Sequence, residues 1–218
     1  MSPPSKIARR VPAKPRTILV SSTVYGYEEL LERIYTRLTE FGYDVWMSHK
    51  GTMPVSSNVS NFENCLRAVE KCDLFLGVIT PNYGSGQDKK VKHGISIFHQ
   101  EIRKAISLNK LRWLLVHDHV VLARTLLRGL GYKTKNERAK LAPQFEKTPV
   151  LEDLRVLDLY EEAIKHDTPL SERRGNWVQP FRTNDDANVF VISQFHRYQE
   201  AEAFINENFA NAAKGGNP

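Results

Sequence analysis

The stretch DLFLGVIT, Asp73 to Thr80, limits the fold more than any other part of the chain. After its first residue it carries no charge, and only Gly77 interrupts the apolar run before the closing threonine. A strand that is apolar toward both faces belongs inside a parallel sheet covered on two sides. The neighbouring segments keep the same rhythm. RTILVSST (Arg16–Thr23) reads as a buried strand, DVWMS (Asp44–Ser48) as a short one, and RWLLVHD (Arg112–Asp118) as a fourth. Helical spacing fills the gaps: Leu30, Leu31, Ile34, Leu38 and Phe41 before Gly42; then Phe62, Cys65, Leu66 and Val69 behind a cap at Ser60 or Asn61. Phe98, Ile102, Ala105 and Ile106 make a third stripe, and HVVLARTLLRGLGY follows the fourth strand. Strands alternating with helices imply right-handed crossovers, hence an α/β fold with a parallel sheet and helices on both faces.

Past Tyr132 the pattern changes. KTKNERAKLAPQFEKTPV is polar and irregular, LEDLRVLDLYEEAIKH reads as a helix, and TPLSERRGNWVQPF as a loop with aromatic anchors. A last helix opens at Asn184 or Asp185, with a stripe of Ala187, Val191, Phe195, Tyr198, Ile205 and Phe209. The expected organisation is a disordered basic tail over 1–16, an α/β domain over 17–133, a mostly helical extension of the same domain over 134–210, and a disordered tail over 211–218. No fixed period points to repeats.

Composition narrows the function classes. At 41% hydrophobic and 26% charged, the 218 residues read as a globular chain. No apolar run approaches the roughly 20 residues that span a bilayer, and the N-terminus lacks an apolar signal core, so a cytoplasmic location is expected. Cys65 and Cys72, two helical turns apart, are expected to be free thiols. Of the net charge of +6, five charges sit in residues 1–16 (Lys6, Arg9, Arg10, Lys14, Arg16), leaving a nearly neutral body. Nucleic-acid binding is therefore expected only as an effect of that tail.

Several signatures are missing: the P-loop, H-E-x-x-H and G-x-S-x-G, while GSGQDK has Lys89 where a dinucleotide fingerprint needs its third glycine. His117 and His119 flank Asp118 at a strand end; three ligands so close in sequence are more often coincidence than a metal site, and no metal is expected. What remains is geometry. Ligands of open α/β sheets bind beyond the carboxyl ends of the strands. There the first strand offers Ser21, Ser22 and Thr23, followed by Tyr25, and the central strand runs into a long loop with Tyr83, Gly84 and Ser85. Small hydroxyls suit ribose or phosphate; equally, they suit capping the next helix. Lys89, Lys90, Lys92 and His93 precede Ser96, a helix cap, and form a natural anion site or a solvated charge run. Glu101, the only acid between Lys89 and Asn109, stands at the border of its helix's apolar stripe, where its carboxylate can lean toward the pocket mouth.

VSSTVYGYEELLERIYTRLTEFGYDV, CLRAVEKCDLFLGVITPNYGSG, GISIFHQEIRKA and GNWVQPF together resemble an uncharacterised bacterial TIR-like family, whose members often stand at the front of NACHT-type or repeat-containing signalling proteins. The resemblance covers roughly residues 17–200 in order. It implies a flavodoxin-like sheet related to Toll/interleukin-1 receptor domains and, more distantly, to nucleoside deoxyribosyltransferases. Many bacterial and plant TIR domains cleave the nicotinamide–ribose bond of NAD with a glutamate on the helix after the third strand, the place of Glu101. Where those domains typically read Trp-Cys-x-x-Glu, this chain reads FHQE from Phe98 to Glu101, with Phe98 as the aromatic wall. The implied function is NAD processing in stress or antiviral defence, to linear or cyclic ADP-ribose, with NAD as substrate and no cofactor. A homo-oligomer and a downstream effector protein are the implied partners. The alternative is a non-catalytic signalling module that self-associates.

Overall fold

A computed structural model describes residues 15–84, 86 and 94–198. Ser85, Lys89, Lys90, Lys92 and His93, the Ile205 and Phe209 end of the last stripe, the 211–218 tail and all but two residues of the basic tail lie outside the described residues. The elements in chain order are β1 (Thr17–Ser22), α1 (Glu28–Glu40), β2 (Asp44–Trp46), α2 (Asn61–Lys71), β3 (Leu74–Ile79) and α3 (Ile97–Ser107). Then come β4 (Leu111–His117), α4 (Asp118–Gly129), α5 (Lys135–Leu141), α6 (Arg155–Ala163), β5 (Val178–Phe181) and α7 (Asn184–Phe195).

The five strands form one sheet in the order β2-β1-β3-β4-β5, every pair parallel. That is the flavodoxin-like order, and it reverses direction between β1 and β3. Strand alternation divides the core in two. Leu19, Phe75, Ile79, Leu114 and Val116 face α2, α3, α4 and α6, while Ile18, Val20, Leu76, Val78 and Leu115 face α1 and α7. Each fully buried Leu or Ile contributes roughly 1.5–3 kcal/mol of transfer free energy, so both faces hold the sheet. Among the described residues no helix is long and apolar enough to cross a membrane.

Helix caps set the frames. Ser60 accepts from the Glu63 N–H and starts α2; Ser96 accepts from the His99 N–H and starts α3. The α2 stripe is turned from the expected one: Asn64, Cys65, Ala68 and Val69 are buried, and Phe62 and Leu66 only partly. Asn64 goes inward because its amide bonds both the N–H and the C=O of Ser56, at 2.8 and 3.0 Å, pinning the loop between β2 and α2.

Two elements differ from expectation. VQPF, read as loop, is an edge strand whose Val178 to Phe181 pair with Leu114 to His117. An edge strand has one open side, so Pro180 can enter it without costing the sheet a hydrogen bond. The described part of the expected helical extension, 134–198, therefore completes the sheet as well as supplying helices. The polar run after Tyr132 contains α5, closed by a capping box in which Thr134 and Glu137 satisfy each other's backbone N–H groups.

Candidate functional site

At the switch point β1 ends beside β3, with Ser21 opposite Gly77 and Ser22 opposite Val78. Gly77 lies on the α3 side, where an added Cβ would meet Leu114 Cδ2 at 2.7 Å, Phe75 Cε1 at 3.1 Å and Ile102 Cδ1 at 3.5 Å. A glycine there lets α3 settle close on the sheet. Glu101, in the second turn of α3, consequently reaches across to β1, and Ser21 Oγ donates to its Oε2 at 2.6 Å. The Cys65 thiol, from α2, makes the second side-chain hydrogen bond to the carboxylate.

The result is a carboxylate only 7% exposed with no cationic neighbour among the described residues contributing to its ionisation. Burial pushes Glu101 up to about 7, against the partial pull of the Ser21 and Cys65 hydrogen bonds toward the charged form. Burial, joined by the Glu101 charge, pushes the Cys65 thiol up to about 12, so this cysteine is a hydrogen-bond donor and not a thiolate. A cavity of about 20 Å³, room for a water molecule, touches Ser21, Met47, Ser48, His49, Met53 and Glu101. A cavity of that size is too small for a ribose.

The remaining expected site residues distribute differently. Ser22 turns to the opposite face and bonds the carbonyls of Val78 and Thr23, each at 3.0 Å. Thr23 is buried against Thr80, their hydroxyls sharing a hydrogen bond. Gly84 closes over Thr23 with φ +85, and a Cβ there would lie 2.7 Å from Thr23 Cγ2. None of these hydroxyls caps α1, which starts at Glu28 with no side-chain cap. Tyr25, 83% exposed, stands on the rim, its carbonyl held by Asn82 Nδ2 at 2.8 Å. Three residues expected to touch substrate are instead enclosed by packing. Tyr83 is buried with its hydroxyl 2.9 Å from His99 Nδ1 and its ring under the Arg155 guanidinium at 4.3 Å. Ser96 is spent on its cap, and Phe98 sits in the core rather than forming an aromatic wall.

Sequence reasoning missed Cys65 as a ligand of the carboxylate, and His49, Met47 and Met53 as its surroundings. The signal for the last three was available, because they follow β2, which borders β1. At the far end of the crevice, one nitrogen each of His117 and His119 and one oxygen of Asp118 lie within 4.8 Å of one another, a spacing that one metal ion can span.

A five-stranded flavodoxin-like sheet with a buried, hydroxyl-bonded glutamate under its switch point defines the class of this protein. Residues 17–189 match the family described as Domain of unknown function (DUF4062), and the chain belongs to that family. Among solved structures it is similar to the TIR domains of the activated Roq1 resistosome directly recognising the pathogen effector XopQ. The identity is 10% over 82% of this chain and 98% of that one, with a TM-score of 0.45. No curated protein matches the sequence.

Proposed function

We propose that the protein processes NAD or a related nucleotide, cleaving the nicotinamide–ribose bond with Glu101 at the reacting carbon. The observation that carries this reading is a buried carboxylate, held by a hydroxyl and a thiol and free of a cationic partner among the described residues, under the crevice where such folds bind ligands. A carboxylate used only for structure is normally neutralised by Arg or Lys; a perturbed one in a cleft is a functional candidate. The sequence resemblance to TIR-like domains supplies the substrate class.

The chemistry suits one carboxylate. Nicotinamide departs neutral, so no acid has to protonate it, while positive charge grows on the ribosyl carbon. An ionised Glu101 offsets that charge, or holds the ribose hydroxyls, in a buried site where few waters screen the interaction. Water, or the adenine ring within the same molecule, then takes the ribosyl carbon, giving linear or cyclic ADP-ribose. Ser21 and Cys65 orient the carboxylate and favour its charged form. Because Glu101 is half ionised near pH 7, the rate should rise with pH through that region.

The test is to incubate the purified chain with NAD and follow free nicotinamide. Release by the parent and none by Glu101→Gln supports the reading; no release from pH 6 to pH 9, or equal release by the variant, removes it.

A second reading, a module that self-associates in signalling, has one observation in its favour. Leu122 and Leu126 on α4 and Leu130 at its C-cap recur every four residues, and all three stand exposed. Sedimentation of the parent and of Leu126→Glu over a concentration series tests it. A concentration-dependent oligomer lost in the variant favours this reading, and a parent that stays monomeric rejects it.

A further inference from the structure

The end of β4 carries a second cluster that the glutamate site does not use. His117 is the N-cap of α4, Asp118 its first residue and His119 its second. The His117 ring is fixed by edge-on packing against Tyr27, at 5.8 Å between centroids, and Phe181, at 5.2 Å. The His119 ring stands 4.5 Å from it. His117 Nδ1 accepts the backbone N–H of His119 at 3.2 Å as the cap of α4, a long bond that an ion held at this nitrogen would replace.

Asp118 is divided between its two oxygens. Oδ2 lies 3.9 Å from Arg182 Nε, a long ion pair. Oδ1 is buried, has no hydrogen-bond partner and stands 3.3 Å from His117 Nδ1. Two acceptor atoms thus face each other with no donor serving the oxygen. A buried carboxylate oxygen left unpaired keeps the cost of its lost hydration. A positive charge between the two atoms removes that cost. The 3.3 Å separation also matches two ligands on one ion: bonds of about 2.1 Å place tetrahedral or octahedral neighbours roughly 3.0–3.4 Å apart.

We infer that His117, Asp118 and His119 form a binding site for one divalent transition-metal ion, with two imidazoles and one carboxylate as ligands. All three ligand atoms lie within 4.8 Å of one another, which small side-chain rotations bring onto a single ion. Two nitrogens and one oxygen select a borderline ion such as Zn²⁺ or Co²⁺ over Mg²⁺ or Ca²⁺, which take oxygen ligands. Three protein ligands leave at least one coordination position open, at the carboxyl end of the sheet.

His166 and Asp167 provide an internal control, since they show the same 3.3 Å contact between Nδ1 and Oδ1 but belong to no three-ligand group among the described residues. The full chain, free of any histidine tag, is titrated with Co²⁺ while its visible absorption bands are followed, and with Zn²⁺ in a calorimeter. One ion per chain at micromolar or tighter affinity is expected. His119→Ala and Asp118→Asn should each weaken it at least about tenfold, with unchanged circular dichroism, while His166→Ala leaves it intact. Absence of a one-to-one complex overturns the inference. So does retention of parent affinity in His119→Ala or Asp118→Asn.

Discussion

Two glutamates meet at α3 and behave in opposite ways. Glu101 is part of the helix and, among the described residues, bonds a serine and a cysteine; Glu162 docks on the helix from α6. Burial works against the charge of both, but Arg103 donates to Glu162 at 2.6 and 2.5 Å, and His99 adds a third contact at 3.2 Å. Those partners bring Glu162 down to about 2, whereas Glu101 is left near 7. Burial alone therefore does not raise a carboxyl; burial with no cation beside it among the described residues does, and that makes Glu101 and not Glu162 the candidate for chemistry. Glu162 ties α6 to α3 as Arg138 ties α5 to Asp158 and Glu161. Glu101 costs the fold stability at neutral pH, and the proposed NAD chemistry would give a reason to keep it.

The sharpest way to break this contrast is Glu101→Gln. On the NAD reading it lowers nicotinamide release at least about 100-fold. It also alters the dependence of stability on pH. A carboxyl raised from 4.5 to about 7 contributes stability fully present below the unfolded value and lost as pH rises through 7. Two and a half units correspond to about 3 kcal/mol. Urea denaturation should therefore show the parent losing about that much relative to the glutamine variant between pH 5 and pH 8.

Arg103→Ala addresses the other glutamate. It should cost roughly 1–3 kcal/mol at pH 7, because Glu162 keeps its charge and loses its fork. Here the sign is reversed: a depressed carboxyl stabilises above its unfolded pKa, and that gain fades as pH falls toward 2. The difference between parent and variant should shrink on acidification, and nicotinamide release should stay unchanged. Loss of activity in this variant with intact folding would show that the two glutamates are not separate in function.

The smallest effect expected is that of Ser21→Ala. The hydroxyl favours the ionised form of Glu101, so its removal raises that carboxyl further. Activity at pH 7 should fall several-fold and recover at pH 9. A rate profile with an unmoved midpoint would mean that Ser21 only packs.

How much of this was legible in the sequence depends on the periodicity each residue obeys. The four long elements of the sheet region and the inward lean of Glu101 follow from apolar spacing and were readable. β5 was not, because four residues with a glutamine and a proline carry no alternation; only pairing with β4 makes them a strand. The capping box of α5 was written in Thr134 and Glu137 but lay inside a run too polar to suggest a buried face. Ser21 and Ser22 were grouped, although neighbours in a strand point to opposite faces. Tyr83 illustrates the limit, since nothing local says that a loop tyrosine will be enclosed by His99 and Arg155, residues 16 and 72 positions away. Cys65 belongs with it: a cysteine in an apolar stripe reads as core until α3 is placed beside it.

Glu101, buried with no cation beside it among the described residues, has an ionisation that can be measured directly. Carboxyl ¹³C NMR on protein labelled at glutamate follows each side chain through its titration, and Glu101→Gln identifies the resonance by its loss. The account requires a midpoint near 7, well above the ordinary value of 4.5. A midpoint at or below 4.5 would mean that a cation serves this carboxylate, and the distinction from Glu162 would be lost.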